Sequence, residues 1–362
     1  MNCVLEKIPF DEKELTVLRE IPDRHGLMRE YAKPISEGDN MRLLFQEDHP
    51  MWIPAGRASN LNFAPGVIPD NVARAFVFDG SGFDNTKGGG KDMFGIPWVF
   101  VPVAGGSMED PSYGHPLEDA NDWEKVIKFP NIDEWDWAGS REINKEFLST
   151  KDKWVLSYML NGAWFERLIS FMGFENAAMA LIDEDQQDAL KALFAKTTKL
   201  YMDIVDKYAE YVPEVDALNV HDDWGSQKSP FCSQEAAMEM IVPFMKQLTD
   251  HIKAKGFVAD MHSCGHNISR IEAYIAGGWE SWTPQPMNDT EKLFEEYGDK
   301  IIITVDLKLP LDMTDEQQRD CAKKFVETHC VPGKKLKVTV DTHLAAFEKE
   351  LYKQSRLAYL SF

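Results

Sequence analysis

Polar and apolar positions alternate along this chain with two different textures. From about residue 150 onward, short apolar runs are each followed by a longer stretch with apolar residues at helical spacing. "KWVLSYML" precedes "WFERLISFMG" and a long helical region over 184–211. "VDALNVHDDW" precedes "SQEAAMEMIVPFMKQLTDHIKAKG", and "GFVADMHSCG" precedes "ISRIEAYIAGG". "KIIITVDLKLP" precedes a helix over 314–329, and "KLKVTVDTHL" precedes a last helix over 344–357. Strand alternating with helix predicts a parallel sheet with helices outside it.

Residues 1–150 read differently. They are rich in Gly, Pro, Asp and Trp, with strand-like runs such as "ARAFVFDG" and "PWVFVPV" set among turn signals. The pattern predicts an α/β protein whose favoured closure is a distorted (β/α)8 TIM-like barrel, with an open doubly wound sheet as the second choice. Residues 151–362 supply the regular βα units of a single barrel domain. Residues 1–150 form an irregular N-terminal extension that covers the barrel and contributes to it.

The polar residues gather at the C-terminal ends of the apolar runs: "HDDW" (221–224), "HSC" (262–264), "TPQP" (283–286), Asp306 and "DTH" (341–343). In a barrel those ends meet on one face, where active sites are built. Residues distant in sequence are thereby expected to line one pocket.

Composition narrows the partners. The 362 residues are 44% hydrophobic, enough for a sizeable core, and carry a net charge of −21. That charge repels phosphate backbones and anionic lipid, so neither nucleic acid nor membrane is an expected partner. No apolar window is long enough to span a bilayer, and the N-terminus lacks a signal-type apolar block. Five cysteines without a regular framework fit a reducing, cytoplasmic setting.

The chemistry centres on "VADMHSCGHN" (258–267). His262 and Cys264 are two apart, so on a strand they point to one side. Imidazole nitrogen and thiolate sulfur both suit zinc, and a catalytic zinc takes three protein ligands and keeps one open position. The alternative is a buried strand end whose polar groups only satisfy hydrogen bonds. "HDDWGSQ" packs His221, Asp222, Asp223, Trp224 and Gln227 at another strand end. One aspartate of the pair is expected to face the pocket as acid, base or support to a metal ligand, or both cap the next helix. His266 reads as supporting or structural, and Asn267 as a helix cap. "KGGGKDMFG" (87–95) lacks the order and flanks of a phosphate loop.

Several stretches together carry a resemblance: "NMRLLFQEDHPMWIP" (40–54), "KDMFGIPWVFVP" (91–102), "GHPLEDANDWEKVIKFPNIDEWDW" (114–137), "WFERLISFMGFENAAMAL" (164–181) and, most strongly, residues 221–265. The chain resembles the uroporphyrinogen decarboxylase superfamily, and within it the cobalamin-dependent methyltransferases. The resemblance implies a zinc held by the H-x-C pair, here His262 and Cys264, with a third ligand after the last strand. His343 stands nearest that place, with Asp341 and Cys330 as the other choices. It also implies a corrinoid (cobalamin) cofactor carried by a separate partner protein. The arginine-rich stretch of the decarboxylases proper is missing, which speaks against porphyrinogen decarboxylation.

The expected activity is therefore methyl transfer from a small methylated donor, a methoxylated aromatic first, to the cobalt of a corrinoid protein. Asp222, Asp223 and Gln227 are the expected catalytic residues. Trp52, Phe94, Trp98, Trp164 and Trp224 are the expected pocket aromatics. Methyl transfer from a corrinoid protein to a thiol is the second reading, and a non-catalytic corrinoid- or ligand-binding barrel the third. A homodimer is compatible with the sequence without being demanded by it.

Overall fold

The computed structural model describes residues 8–23, 26–103, 105–150 and 152–362, and leaves the side chains of Asp23, Gly56 and Arg57 undescribed. Cys3 and the start of the N-terminal stretch read above lie outside the described residues.

Seven strands form one sheet in chain order. They are β1 (Asn60–Phe63), β2 (Trp154–Asn161), β3 (Ala217–His221), β4 (Val258–Ser263), β5 (Ser281–Pro284), β6 (Ile302–Leu307) and β7 (Leu336–Val340). Helices follow them: α1 (Trp164–Met172), α2 (Gln187–Tyr211), α3 (Val242–Ala254), α4 (Ile271–Ala276), α5 (Thr290–Tyr297), α6 (Asp315–His329) and α7 (Ala345–Leu360). This is the expected α/β, TIM-like class, with seven such strands among the described residues. β2–β3, β3–β4, β4–β5 and β6–β7 pair in parallel. Among the described residues no helix is long and apolar enough to cross a membrane.

By contact the chain divides into two units, each drawing residues from both sides of position 150. The first is Met1–Leu61, Lys151–Trp154 and Asp289–Phe362, and the second is Asn62–Thr150 and Val155–Asn288.

The second unit is organised by strands that read as nearly continuous apolar runs because both of their faces are covered. Val155, Met159, Leu160, Leu218, Val220, Ala259 and Met261 are all buried. α1 packs Phe165, Leu168 and Phe171 inward and brings one charge with them, Arg167. Its guanidinium bonds both Asp70 and Asp92, the latter at 2.6 Å, and both carboxylates are buried. Removing one partner of such a pair strands a buried charge, at a cost of about 3–5 kcal/mol. Of the two strand-like runs in the irregular region, "PWVFVPV" supplies a strand at Pro97–Val101, and "ARAFVFDG" does not. There Ala75 turns with a positive φ of 59°, and Phe78 makes only an isolated bridge to Ala64.

In the first unit, Ala55 bridges Val338 of β7 in parallel, and the Val338 amide donates to the Pro54 carbonyl at 3.0 Å. A hairpin, Val17–Asp23 with Gly26–Tyr31, precedes it. α7 is tied to the N-terminal segment by Glu14, which accepts from the Tyr352 hydroxyl at 2.5 Å and from Arg356 Nε at 3.1 Å.

Candidate metal centre

Strand register builds this site. Asn161 of β2 is opposite His221 of β3, His221 is opposite His262 of β4, and His262 is opposite Thr283 of β5. Four adjacent strand ends thus present one row of polar residues. The row two residues earlier is polar as well: Asn219 donates to Asp260 at 2.7 Å, and Ser281 bonds the same carboxylate. Side chains two apart share a side, so these rows stack as successive layers.

His221, His262 and Cys264 place their ligand atoms within 4.8 Å of one another. His262 Nε2 lies 3.4 Å from Cys264 Sγ, and His221 Nε2 lies 3.6 Å from it. Zinc bonds of about 2.0–2.1 Å to nitrogen and about 2.3 Å to sulfur, at tetrahedral angles, set such atoms roughly 3.5 Å apart. The donor set and its spacing therefore fit zinc. The far side of each ring is fixed too. His262 Nδ1 donates to the Thr283 carbonyl at 2.8 Å, which leaves Nε2 to face the sulfur. His221 Nδ1 donates to Asn161 Oδ1 at 2.8 Å. Outer hydrogen bonds of this kind fix tautomer and ring orientation in metal-binding histidines.

Negative charge surrounds His221. Asp223 Oδ1 accepts from His221 Nε2 at 2.6 Å and from the Cys264 amide at 2.6 Å. Glu166 Oε2 lies 4.0 Å from His221 Nδ1, and Glu166, His221 and Asp223 form a second close group of ligand types. Burial alone pushes the His221 pKa down. The Glu166 charge and the bonds to Asp223 and Cys264 outweigh it and hold His221 well above the usual histidine range. Burial and the charge of His221 lower His262. Burial raises the Cys264 thiol. Asp223 is raised by burial, but its bond to and charge attraction from His221 win and bring it down to about 2. The locus favours a cation.

The two neighbouring aspartates have different surroundings. Asp222 is fully buried and accepts from the amides of Phe165 and Glu166 at 3.1 and 2.8 Å and from Trp224 Nε1 at 2.8 Å. It anchors the first turn of α1, a favourable place for a carboxylate. Burial nonetheless pushes it up to about 7. Asp223 is the one beside the cluster.

The loops that carry these residues pack backbone on backbone. A Cβ on Gly265, whose φ is +91°, would meet the Gly225 carbonyl oxygen at 2.1 Å. Only glycine permits that approach and that conformation. Asn267 does not cap by its side chain. Its Nδ2 instead donates to Ser263 Oγ at 3.0 Å and to the Cys264 carbonyl at 2.5 Å, bracing the loop. The His266 amide donates to the Ser226 carbonyl at 2.7 Å.

The other expected site residues stand as follows. His343 is in the first unit, where its Nδ1 bonds Glu348 Oε1 at 2.6 Å. Asp341 is exposed, and Cys330 ends α6 with its thiol raised by burial to about 12. Among the described residues His221 is a ligand-type side chain that meets the H-x-C pair, and the sequence reading does not assign it to the metal. Gln227 is exposed on the loop after β3. Trp164 and Trp224 are fully buried, with their indole N–H groups on Thr198 Oγ1 and Asp222. Trp98 is covered by the Arg74 guanidinium, 4.2 Å from its ring centre, and Phe94 packs against Phe129 and Phe171. Trp52 lies in the first unit and donates to Glu37 at 3.2 Å.

No family model matches the chain, and no curated protein matches it in sequence. Among solved structures it is similar to a methyltransferase from Methanosarcina mazei, with 12% identity over 70% of this chain and 72% of that one, and a TM-score of 0.44. It is also similar to a xylose isomerase domain protein from Alicyclobacillus acidocaldarius, with 12% identity over 62% of this chain and 81% of that one, and a TM-score of 0.28. Likenesses this distant carry no argument about activity.

Proposed function

We propose that this chain is a zinc-dependent methyltransferase that moves a methyl group from a small methylated donor to the cobalt of a corrinoid held by a separate protein. The observation that carries the reading is the meeting of His221, His262 and Cys264 with both imidazoles oriented from behind. A methoxylated aromatic is the favoured donor. In that reaction the methyl carbon–oxygen bond breaks and a methyl–cobalt bond forms. The Co(I) centre supplies the electron pair, and the leaving oxygen takes up a proton.

Bound zinc supplies a Lewis acid that makes the leaving oxygen less basic. The chain's own residues do the rest. Thr283 and Asn161 aim the two histidines. Asp223 fixes the Cys264 backbone. Asp223, which bonds His221 Nε2 in the metal-free protein, would yield that nitrogen to zinc while still holding the Cys264 amide and balancing charge. Asp222 holds α1 in place from beneath.

The test is reconstitution. Zinc-loaded protein is mixed with a Co(I) corrinoid protein and a panel of methoxylated aromatics. The corrinoid spectrum and release of the free phenol are followed together. Donor-dependent formation of methyl-cobalt with matching phenol release is expected. Absence of both with zinc-replete protein overturns the O-demethylation reading. Methyl loss from a methylated corrinoid protein to thiols would favour the reverse-direction enzyme.

A further inference from the structure

Glu166 is the third residue of α1, and its amide is held by Asp222, the chain neighbour of His221. Its two carboxylate oxygens have different surroundings. Oε1 takes the Arg74 guanidinium. Oε2 is shut off from solvent, makes no hydrogen bond and lies 4.0 Å from His221 Nδ1. We infer that Glu166 is a positioning residue of the metal centre: it sets a negative charge behind His221, on the Nδ1 side of the ring, and Arg74 holds it there. The inference rests on the zinc part of the proposed function and not on methyl transfer.

Arg74 is buried and is itself clamped. Its guanidinium lies 4.2 Å from the Trp98 ring centre, and Trp98 Nε1 donates to Asp92 at 3.3 Å. Gly162, with a φ of +99°, leaves the room: a Cβ there would meet Arg74 Nη2 at 2.5 Å. A fixed guanidinium on Oε1 restrains the carboxylate and keeps Oε2 toward His221. The pair is neutral as a whole, but the oxygen turned to His221 is its negative end.

A buried carboxylate oxygen without a donor is costly, and native proteins keep few of them without a use. Zinc supplies the use. Two neutral imidazoles and one thiolate leave a bound zinc with a net positive charge, which the imidazole rings share. A carboxylate behind a metal-binding histidine strengthens that ligand. Asn161 Oδ1 already accepts from His221 Nδ1 at 2.8 Å, but it is neutral. Asn161 gives the ring its direction, and Glu166 adds the charge.

The test measures the zinc affinity of the full chain by competition with a chromophoric chelator. It also records the visible spectrum of protein loaded with cobalt(II) in place of zinc. Glu166→Gln removes the charge and keeps the shape, but it leaves Arg74 buried without a counter-charge. A double variant, Glu166→Gln with Arg74→Met, removes both charges and strands neither. Both proteins are expected to bind zinc about 10- to 100-fold more weakly than the wild type. The ligand-field bands of cobalt are expected to shift, while the thiolate-to-cobalt band stays. A folded double variant with wild-type zinc affinity overturns the inference. So does a weaker affinity with an unchanged cobalt spectrum, which would place the effect in the fold rather than at His221. Wild-type protein that takes up no zinc removes the zinc reading and this inference together. Tight zinc in the wild type without methyl transfer in the reconstitution sinks the methyl-transfer reading alone.

Discussion

His221 and His262 stand opposite each other in register on adjacent parallel strands, with ring centres 5.1 Å apart. Cys264, two residues beyond His262, closes the triangle at 3.4 and 3.6 Å. Strand register sets the two histidines, and Cys264 follows on the loop just past the end of β4.

The first expectation follows from that triangle. Wild-type protein purified without chelators is expected to hold close to one zinc per chain by elemental analysis. His221→Ala, His262→Ala and Cys264→Ala are each expected to lose most of it. His343→Ala is expected to keep it, since His343 Nδ1 is engaged by Glu348 Oε1. Full zinc in His221→Ala beside loss in His343→Ala would reverse the ligand assignment.

A second expectation concerns the residues behind the ligands. Asn161→Ala removes the acceptor that fixes the His221 ring, without touching a ligand atom. Loss of an outer-shell partner weakens metal affinity by about 10- to 100-fold. Competition with a chromophoric zinc chelator reads the change directly. Affinity equal to wild type would mean that Asn161 does not orient His221.

Much of this arrangement is legible in the sequence, and the part that is not has a specific cause. The alternation of apolar runs and helical stretches announces the α/β sheet, and the spacing of His262 and Cys264 brings them together, although β4 ends at Ser263 and Cys264 stands on the loop beyond it. His221 was visible as a strand-end residue. Its partnership with His262 was not, because only the inter-strand register aligns them, and register between distant segments is a tertiary property. The resemblance drew attention instead to the chain after β7, where His343 has a carboxylate of its own. The aspartate pair shows the same limit. Sequence says that both cannot point one way. It does not say that Phe165 and Glu166 would bring their amides to Asp222. "ARAFVFDG" looks like a strand by composition, but Ala75 takes a left-handed turn within it.

The contrast between the aspartates gives a third expectation. Asp222→Ala deprives two backbone amides and the Trp224 indole of a buried acceptor. Each unsatisfied buried donor costs about 1–3 kcal/mol. A fall of at least about 3 kcal/mol in unfolding free energy by urea titration is expected. Asp223→Ala is expected to cost much less stability and to weaken zinc binding instead, because its partners are His221 and the Cys264 amide. If the two variants lose stability and zinc to the same extent, the division of labour is wrong.

The last expectation is in the first unit and depends on pH. Glu14 is 5% exposed and accepts from Arg356, itself 1% exposed, and from the Tyr352 hydroxyl. Burial raises its pKa, but the bonds from Arg356 and Tyr352 and the Arg356 charge outweigh burial, and the net shift is downward from 4.5. A carboxyl lowered in the folded state releases its proton more readily there than in the unfolded chain. Its stabilisation is therefore fully present above 4.5 and is lost as pH falls through the lower, folded value. Glu14→Gln leaves Arg356 buried without its counter-charge, so unfolding at pH 7 is expected to require about 3 kcal/mol less than in the wild type. The gap is expected to narrow as the pH drops below 4.5, because the wild type then loses the same charge. Urea titrations of both proteins from pH 7 down to the acid limit of folding measure it. A gap that stays constant or widens toward acid would mean that the ion pair does not set the stability of this junction.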